Sequence, residues 1–194
     1  MPIADMPEAK TYLRRLREVL NDDKVSHCIF TAEYLASFAV SLGIDHDDAV
    51  AAGLLHDFCR CLDDSEMLDQ ARQFRLPLSE AQMAAPTLLH GPVAAETCRR
   101  EFDINEEVYQ AIYWHTTGRP ALEPLGQALF VADFAEPTRK FPEAVEARAR
   151  LRKSGFEDAV LYVAEMKAVF SRRKTVVDPN TQAFLLWLKT REKA

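Results

Sequence analysis

The chain has 194 residues, 48% hydrophobic, 28% charged and 9% aromatic, enough to bury a core without disulfides or a structural metal. Six glycines and ten prolines exclude collagen-like, linker-rich and disordered classes. With 24 Lys and Arg against 30 Asp and Glu the formal net charge is -6, which speaks against a nucleic-acid polymer as partner, since backbone phosphates need a basic surface.

The opening MPIADMPEAK lacks the basic start and apolar run of a secretory signal. The apolar stretches look too short for a membrane span, so a cytoplasmic protein without membrane contact is expected. Leu13, Leu16 and Leu20 space a first helix over about Glu8–Leu20. Asn21 and the two aspartates after it interrupt the run. A second helix is expected from about Ser26, with Phe30, Tyr34 and Phe38 along one face. Gly43 stands where a C-terminal cap belongs, and Asp45 reads as the N-cap of a third helix through AVAAGLLHDFCR. A charged fourth helix spans about Ser65–Phe74, and Pro77 and Pro86 bracket a turn-rich connection. A helix from near His90 ends before Asp103, and Asn105 caps the next, which reaches Trp114. Pro120 and Pro124 precede LGQALFVADFAEP, which Pro137 closes. Three amphipathic pieces follow, Glu143–Arg152, Phe156–Arg173 and Asp178–Lys189. No strand alternation, repeat or low-complexity tract is visible, so the fold class is all-α. The C-terminal helices and Trp187 fit either intramolecular packing or a homodimer face.

Cys28, Cys59, Cys61 and Cys98 read as reduced thiols, without the ligand spacing of a zinc site. Of five histidines, His46 lies among acids at a helix start and reads as solvated. The other four and two aspartates lie on or beside faces that should be buried. His56 and Asp57 follow Ala49, Ala52 and Gly53, small residues that let another helix approach. On a helix such neighbours point about 100° apart. His27 shares a face with Phe30 and Tyr34, and His90 opens a helix. His115 closes a stripe of Val108, Ala111 and Ile112, and Asp133 ends the apolar LFVA. Each imidazole alone is ordinarily a hydrogen-bonded core residue. A buried carboxylate, however, needs a partner or a metal, and neither Asp57 nor Asp133 has Lys or Arg at i±4. The set, in the order H…HD…H…H…D over five helices, points to a metal centre.

That order and the words SHCIFTAEYLA, AAGLLHDFCR, LLHGPVAAE, AIYWHTTGR, LFVADFAEPTRKF and TVVDPNTQAFLLWL resemble the HD-domain metal-dependent phosphohydrolases. Within them the chain is similar to the YqeK-like symmetrical bis(5'-nucleosyl)-tetraphosphatases, from about residue 20 to 190. The resemblance implies a single HD-domain helical bundle over 1–194, with a metal-binding core at about 20–140 and a C-terminal helical extension at about 141–194. It implies two divalent metal ions held by His27, His56, Asp57, His90, His115 and Asp133. Asp57 would bridge the ions, His27, His56 and Asp133 completing one site, His90 and His115 the other. Iron is the family-like metal, and manganese, cobalt, nickel and zinc suit the same donors. Two dications less two carboxylates leave about +2, which draws a polyphosphate to an acidic protein.

The implied activity is hydrolysis of diadenosine tetraphosphate at its centre to two ADP, through a metal-bridging hydroxide. A dinucleoside polyphosphate or an ADP-like nucleotide is the expected partner. Beside Asp57, Arg60 and Arg139 are the catalytic phosphate contacts; Thr116 and Arg119 are further substrate-binding candidates. Arg119 fits a solvated loop equally well, and Thr116 and Glu136 also fit supports of the ligands. Where the family usually follows H-D-x-x with Lys, Arg60 stands here, a planar fork in place of a point charge. Two alternatives share these residues. One is an HD-type phosphohydrolase acting on another nucleotide or phosphate ester; the other is a non-catalytic, metal-dependent nucleotide sensor.

Overall fold

Three- and four-residue apolar spacing becomes a series of helices within residues 3–172 and 176–191, the part of the chain that the computed structural model describes. Among the described residues eleven α-helices run in order: α1 (Pro7–Val19), α2 (Asp22–Ala39), α3 (His46–Leu55), α4 (Asp64–Gln73), α5 (Glu80–Ala84), α6 (His90–Phe102), α7 (Glu106–Trp114), α8 (Pro124–Ala135), α9 (Pro142–Lys153), α10 (Phe156–Arg172) and α11 (Pro179–Arg191). Among the described residues there is no strand. The expected end of the tenth helix at Arg173 lies outside the described residues, as does Thr175 of the last motif.

Local chemistry sets most boundaries. Asp45 accepts from the backbone N–H groups of Asp47 and Asp48, and Asn105 from that of Val108, as N-caps do. The second helix begins earlier than expected, because Asn21 is its cap. The Asn21 side chain accepts from Lys24 N–H at 3.0 Å, and Asp22 and Asp23 favour the positive end of the helix dipole. The connection between Pro77 and Pro86 also holds more structure than expected. Ser79 and Gln82 form a capping box that opens α5, and a 3₁₀ turn over Pro86–Leu89 leads into α6.

The third helix departs most from expectation. It stops at Leu55 instead of running through Arg60. Beyond it the N–H groups of Phe58, Arg60 and Leu62 reach back only three residues, to Leu55, Asp57 and Cys59. His56 and Asp57 therefore stand in a tight series of turns at the end of α3, not on its side.

Helix α2 packs on α3 and α8. Gly53 makes the α2–α3 approach close: a Cβ there would lie 2.4 Å from the Ala32 Cα. Contrary to expectation, the segment Asp22–Leu42 is long and apolar enough to cross a membrane by length and composition. Its Cys28, Thr31, Ala32 and Leu35 are instead fully buried within the protein. Helix α8 joins two apolar clusters. One gathers residues from α1 to α8; the other packs Phe130 and Val131 against Val160, Val163 and Phe184 of the C-terminal helices. Trp187 stacks on Phe184 at 6.0 Å, so its ring packs within the chain. Burying a side chain such as Phe184 contributes about 1.5–3 kcal/mol, so the C-terminal helices are held on α8 by their own apolar area.

Candidate metal centre

The four selected histidines and two aspartates meet at one place. His27 comes from α2, His56 and Asp57 from the turns after α3, His90 from the start of α6, His115 from the end of α7 and Asp133 from α8. The rings of His27 and His56 are 5.2 Å apart, those of His56 and His115 5.0 Å, and those of His90 and His115 4.9 Å. His46 is not among them; it is exposed and pairs with Asp47.

The imidazoles share one orientation. Nδ1–H of His56 donates to the Gly53 carbonyl at 2.9 Å, that of His90 to Thr87 and that of His115 to Ile112 at 2.7 Å. Nδ1 of His27 faces the buried Glu136 carboxylate at 3.4 Å. With Nδ1 carrying the proton, each Nε2 presents a lone pair, the tautomer a metal requires. His90 Nε2 and His115 Nε2 lie 3.0 Å apart, with the Thr116 hydroxyl 3.0 and 3.2 Å from them. His56 Nε2 is buried without a hydrogen-bond partner. Converging lone pairs and an orphaned buried nitrogen fit a divalent cation and fit no closed hydrogen-bond network.

Asp57 divides its two oxygens. Oδ1 lies 3.3 Å from His90 Nε2 and 3.7 Å from His115 Nε2, while Oδ2 faces His56 Nε2 at 3.9 Å. Two metal-capable groups result, His27–His56–Asp57 and Asp57–His90–His115, and they share this carboxylate. Asp133 Oδ1 sits 3.2 Å from His27 Nε2 and 3.8 Å from His56 Nε2. The cysteines stay out of the groups. Burial pushes the Cys59 thiol up to about 11 and Cys28 well above its ordinary value, so neither offers a thiolate.

Burial pushes His56 down to about 4 and His90 to about 3, keeping both imidazoles neutral and able to ligate near pH 7. Burial alone would raise Asp57, and the surrounding imidazoles, where protonated, lower it. Asp133 is also lowered against its burial, first by Lys167 and then by His27.

A cleft of about 340 Å³ opens onto the centre, lined by Asp57, His90 and His115 together with Arg60, Arg139 and Lys167. Arg60 donates to the Thr87 hydroxyl at 3.1 Å and stands 4.0 Å from Asp57. Arg139 lies 3.5 Å from Asp133 and 3.7 Å from Glu136. Thr116 lines the cleft as well. Arg119 does not: it lies in a separate depression with Glu106, Trp114 and Glu123, and hydrogen-bonds the Pro120 carbonyl. Gly118, at φ 69°, turns the chain there, so closeness in sequence to the HTTG motif does not bring Arg119 to the candidate metal ligands. Glu136, 1% exposed and already a candidate support in the sequence, stands against His27. One residue of the site escapes the sequence reading: Lys167, which pairs with Asp133.

Comparison with known proteins places this geometry. The HD domain family model matches residues 25–138. The symmetrical bis(5'-nucleosyl)-tetraphosphatase of Staphylococcus aureus (strain NCTC 8325 / PS 47) is 32% identical over 157 residues, 80% of each chain. The protein of the same name from Halalkalibacterium halodurans is 33% identical over 141 residues, 72% of this chain and 75% of the relative. The crystal structure of a predicted HD superfamily hydrolase involved in NAD metabolism, from Clostridium acetobutylicum, has the same fold. The TM-score is 0.88 at 24% identity, covering 94% of this chain and 97% of that one.

Proposed function

The chain belongs to the HD-domain family and, within it, to the symmetrical bis(5'-nucleosyl)-tetraphosphatases, and from that premise we propose that it hydrolyses diadenosine tetraphosphate at its centre to give two ADP. The observation that carries the reading is the divided carboxylate of Asp57, one oxygen toward His90 and His115 and the other toward His56. In this reading His27, His56 and Asp133 hold one divalent ion, His90 and His115 a second, and Asp57 both. Four imidazoles and two carboxylates suit iron, with manganese, cobalt, nickel or zinc as substitutes. Bound there, the ions supply Lewis acidity and neutralise phosphoryl charge.

The chain's own groups do the rest. The locked Nδ1–H bonds keep protons off the ligating nitrogens. Arg60 and Arg139 reach the cleft from opposite ligands, Asp57 and Asp133, and are the residues to bind the inner phosphates and take up charge on the departing ADP. Thr116 adds a hydroxyl beside His90 and His115. Arg119, in its separate depression, has no part in this reading. Residues 1–194 act as one unit. Four unpaired cysteines support a reducing, cytoplasmic setting.

The test is product analysis of the metal-loaded protein with diadenosine tetraphosphate. Two ADP are expected; ATP plus AMP would reject symmetrical cleavage. His56→Ala and Asp57→Ala should each lose metal and turnover together, and normal turnover in either defeats the ligand assignment.

A further inference from the structure

Asp133 and the main chain of His115 are both held by a residue that lies outside the matched HD-domain segment. Lys167, on α10, donates from Nζ to the His115 carbonyl at 2.9 Å and to Asp133 Oδ2 at 3.3 Å. The same ammonium lies 4.1 Å from the centre of the Phe130 ring. Its side chain is 15% exposed and lines the cleft that holds Asp57, His90 and His115. The buried residues of α10 are Ala159, Val160, Val163, Ala164 and Ala168, all apolar. A cation beside such residues is costly unless its hydrogen bonds are satisfied, so its place among apolar residues calls for a specific use.

The use follows from how Asp133 divides its oxygens. Oδ1 faces His27 and His56; Oδ2 faces Lys167. We propose that Lys167 is a positioning residue of the metal centre. It occupies Oδ2 so that Asp133 offers only Oδ1 to the His27–His56 side, and it pins the backbone of His115 on the other side. The C-terminal helices thereby complete the ligand cage instead of merely covering it. Gly118 agrees, since a Cβ there would lie 2.2 Å from Phe184 of α11, so the chain after His115 is seated directly on the C-terminal helices. The inference rests on the metal-dependent reading above.

Charge and positioning predict opposite signs. An ammonium beside dications repels them, so if charge alone mattered, its removal would tighten metal binding. If Lys167 orients a ligand, its removal weakens binding, by about 10–100-fold as for other outer supports of metal ligands. The experiment titrates metal-free wild type, Lys167→Met and Lys167→Arg with Mn²⁺ in the absence of nucleotide, counting free ion by electron paramagnetic resonance. Lys167→Met should bind about 10–100-fold more weakly with an unchanged circular dichroism spectrum. Lys167→Arg, which keeps two donors and the charge, should recover most of the loss. Lys167→Gln replaces the Met variant if that variant does not fold. Unchanged or tighter binding in the neutral variant overturns the inference, as does an Arg variant no better than Met. Wild type that takes up no Mn²⁺ would instead remove the metal-centre reading, and this inference with it.

Discussion

Gly53→Ala sets helix propensity against packing. Ala is favoured over Gly inside a helix by about 0.8–1 kcal/mol, so α3 taken alone would gain stability. In the protein the new Cβ would stand 2.4 Å from the Ala32 Cα, 2.8 Å from its nitrogen and 2.9 Å from its Cβ. Carbon atoms in contact sit at about 3.5–4.0 Å, and two of these three neighbours are backbone, so α2 and α3 must separate by about 1 Å. Overpacking of that kind costs about 1–3 kcal/mol or more, which exceeds the propensity gain. For a chain of this size a net loss of about 1–2 kcal/mol lowers the melting temperature by roughly 2–8 °C. The site should suffer more than the fold. His27 precedes Ala32 on α2 by little more than one turn and His56 follows Gly53 by less than one, with their rings 5.2 Å apart. A shift of about 1 Å is several times the ligand tolerance of about 0.2 Å, so in the proposed two-ion reading the His27–His56 side loses its ion first, while His90 and His115 stay in place. Calorimetry and elemental analysis after metal loading read both effects. A variant that melts higher than wild type and keeps its full metal content would refute the reasoning.

Stability of the metal-free protein should fall with pH between 7.5 and 5. Burial lowers His56 to about 4 and His90 to about 3, so the unfolded state, with imidazoles near 6.5, takes up protons first. The contribution is complete above about pH 7 and is lost as pH falls through 6.5 toward the folded values, about 2 kcal/mol for each histidine at pH 5. His27 offsets part of this, because its hydrogen bond to Asp133 raises it in spite of burial. The melting temperature of chelator-treated protein should drop by roughly 4–12 °C over that range, and a flat profile counts against the argument. Arg148 donates to the carbonyls of Ala135, Glu136 and Arg139 at 2.9, 3.1 and 3.1 Å, closing the C-terminal end of α8 and the turn that carries Arg139. Arg148→Ala should cost about 1.5–3 kcal/mol and raise KM more than it lowers kcat, and unchanged melting with unchanged KM would show that the turn holds itself.

The six candidate ligands, which the fold brings together, are legible because each is a polar residue at a position whose neighbours are apolar. Asp45 and Asn105 are legible as caps because capping is local. The end of α3 is not, since HDFCRC contains neither Gly nor Pro and the shift to three-residue turns leaves no local mark. Asn21 is misread for the opposite reason: the Asn-Asp-Asp run that breaks one helix also caps the next. Lys167 and Arg148 lie on helices whose periodicity is visible, but their partners are on distant segments. Only the apolar spacing around Lys167 marks it as a cation on a buried face. Arg119 is misplaced by sequence proximity, because one left-handed glycine redirects the chain.

Three of the candidate metal ligands are also helix ends, and this explains why much of the centre is built from turns. His56 is the C-cap of α3, His115 that of α7, and His90 that of the 3₁₀ turn over Pro86–Leu89. The last carbonyls of a helix lack partners within it. Each of these histidines satisfies one from Nδ1, at Gly53, Ile112 or Thr87, three residues earlier in every case. The bond that finishes the helix also fixes the tautomer and aims Nε2 inward. It places the negative ends of the α3 and α7 dipoles beside the site as well, which favours a cation there. Were the pairs carried on the sides of continuous helices, their Nδ1 atoms would face carbonyls already bonded within the helix. A set of imidazoles with Nε2 turned inward therefore follows from stopping three helical segments at the histidines, a condition met by the shortened α3 and not by the longer helix that the sequence suggests.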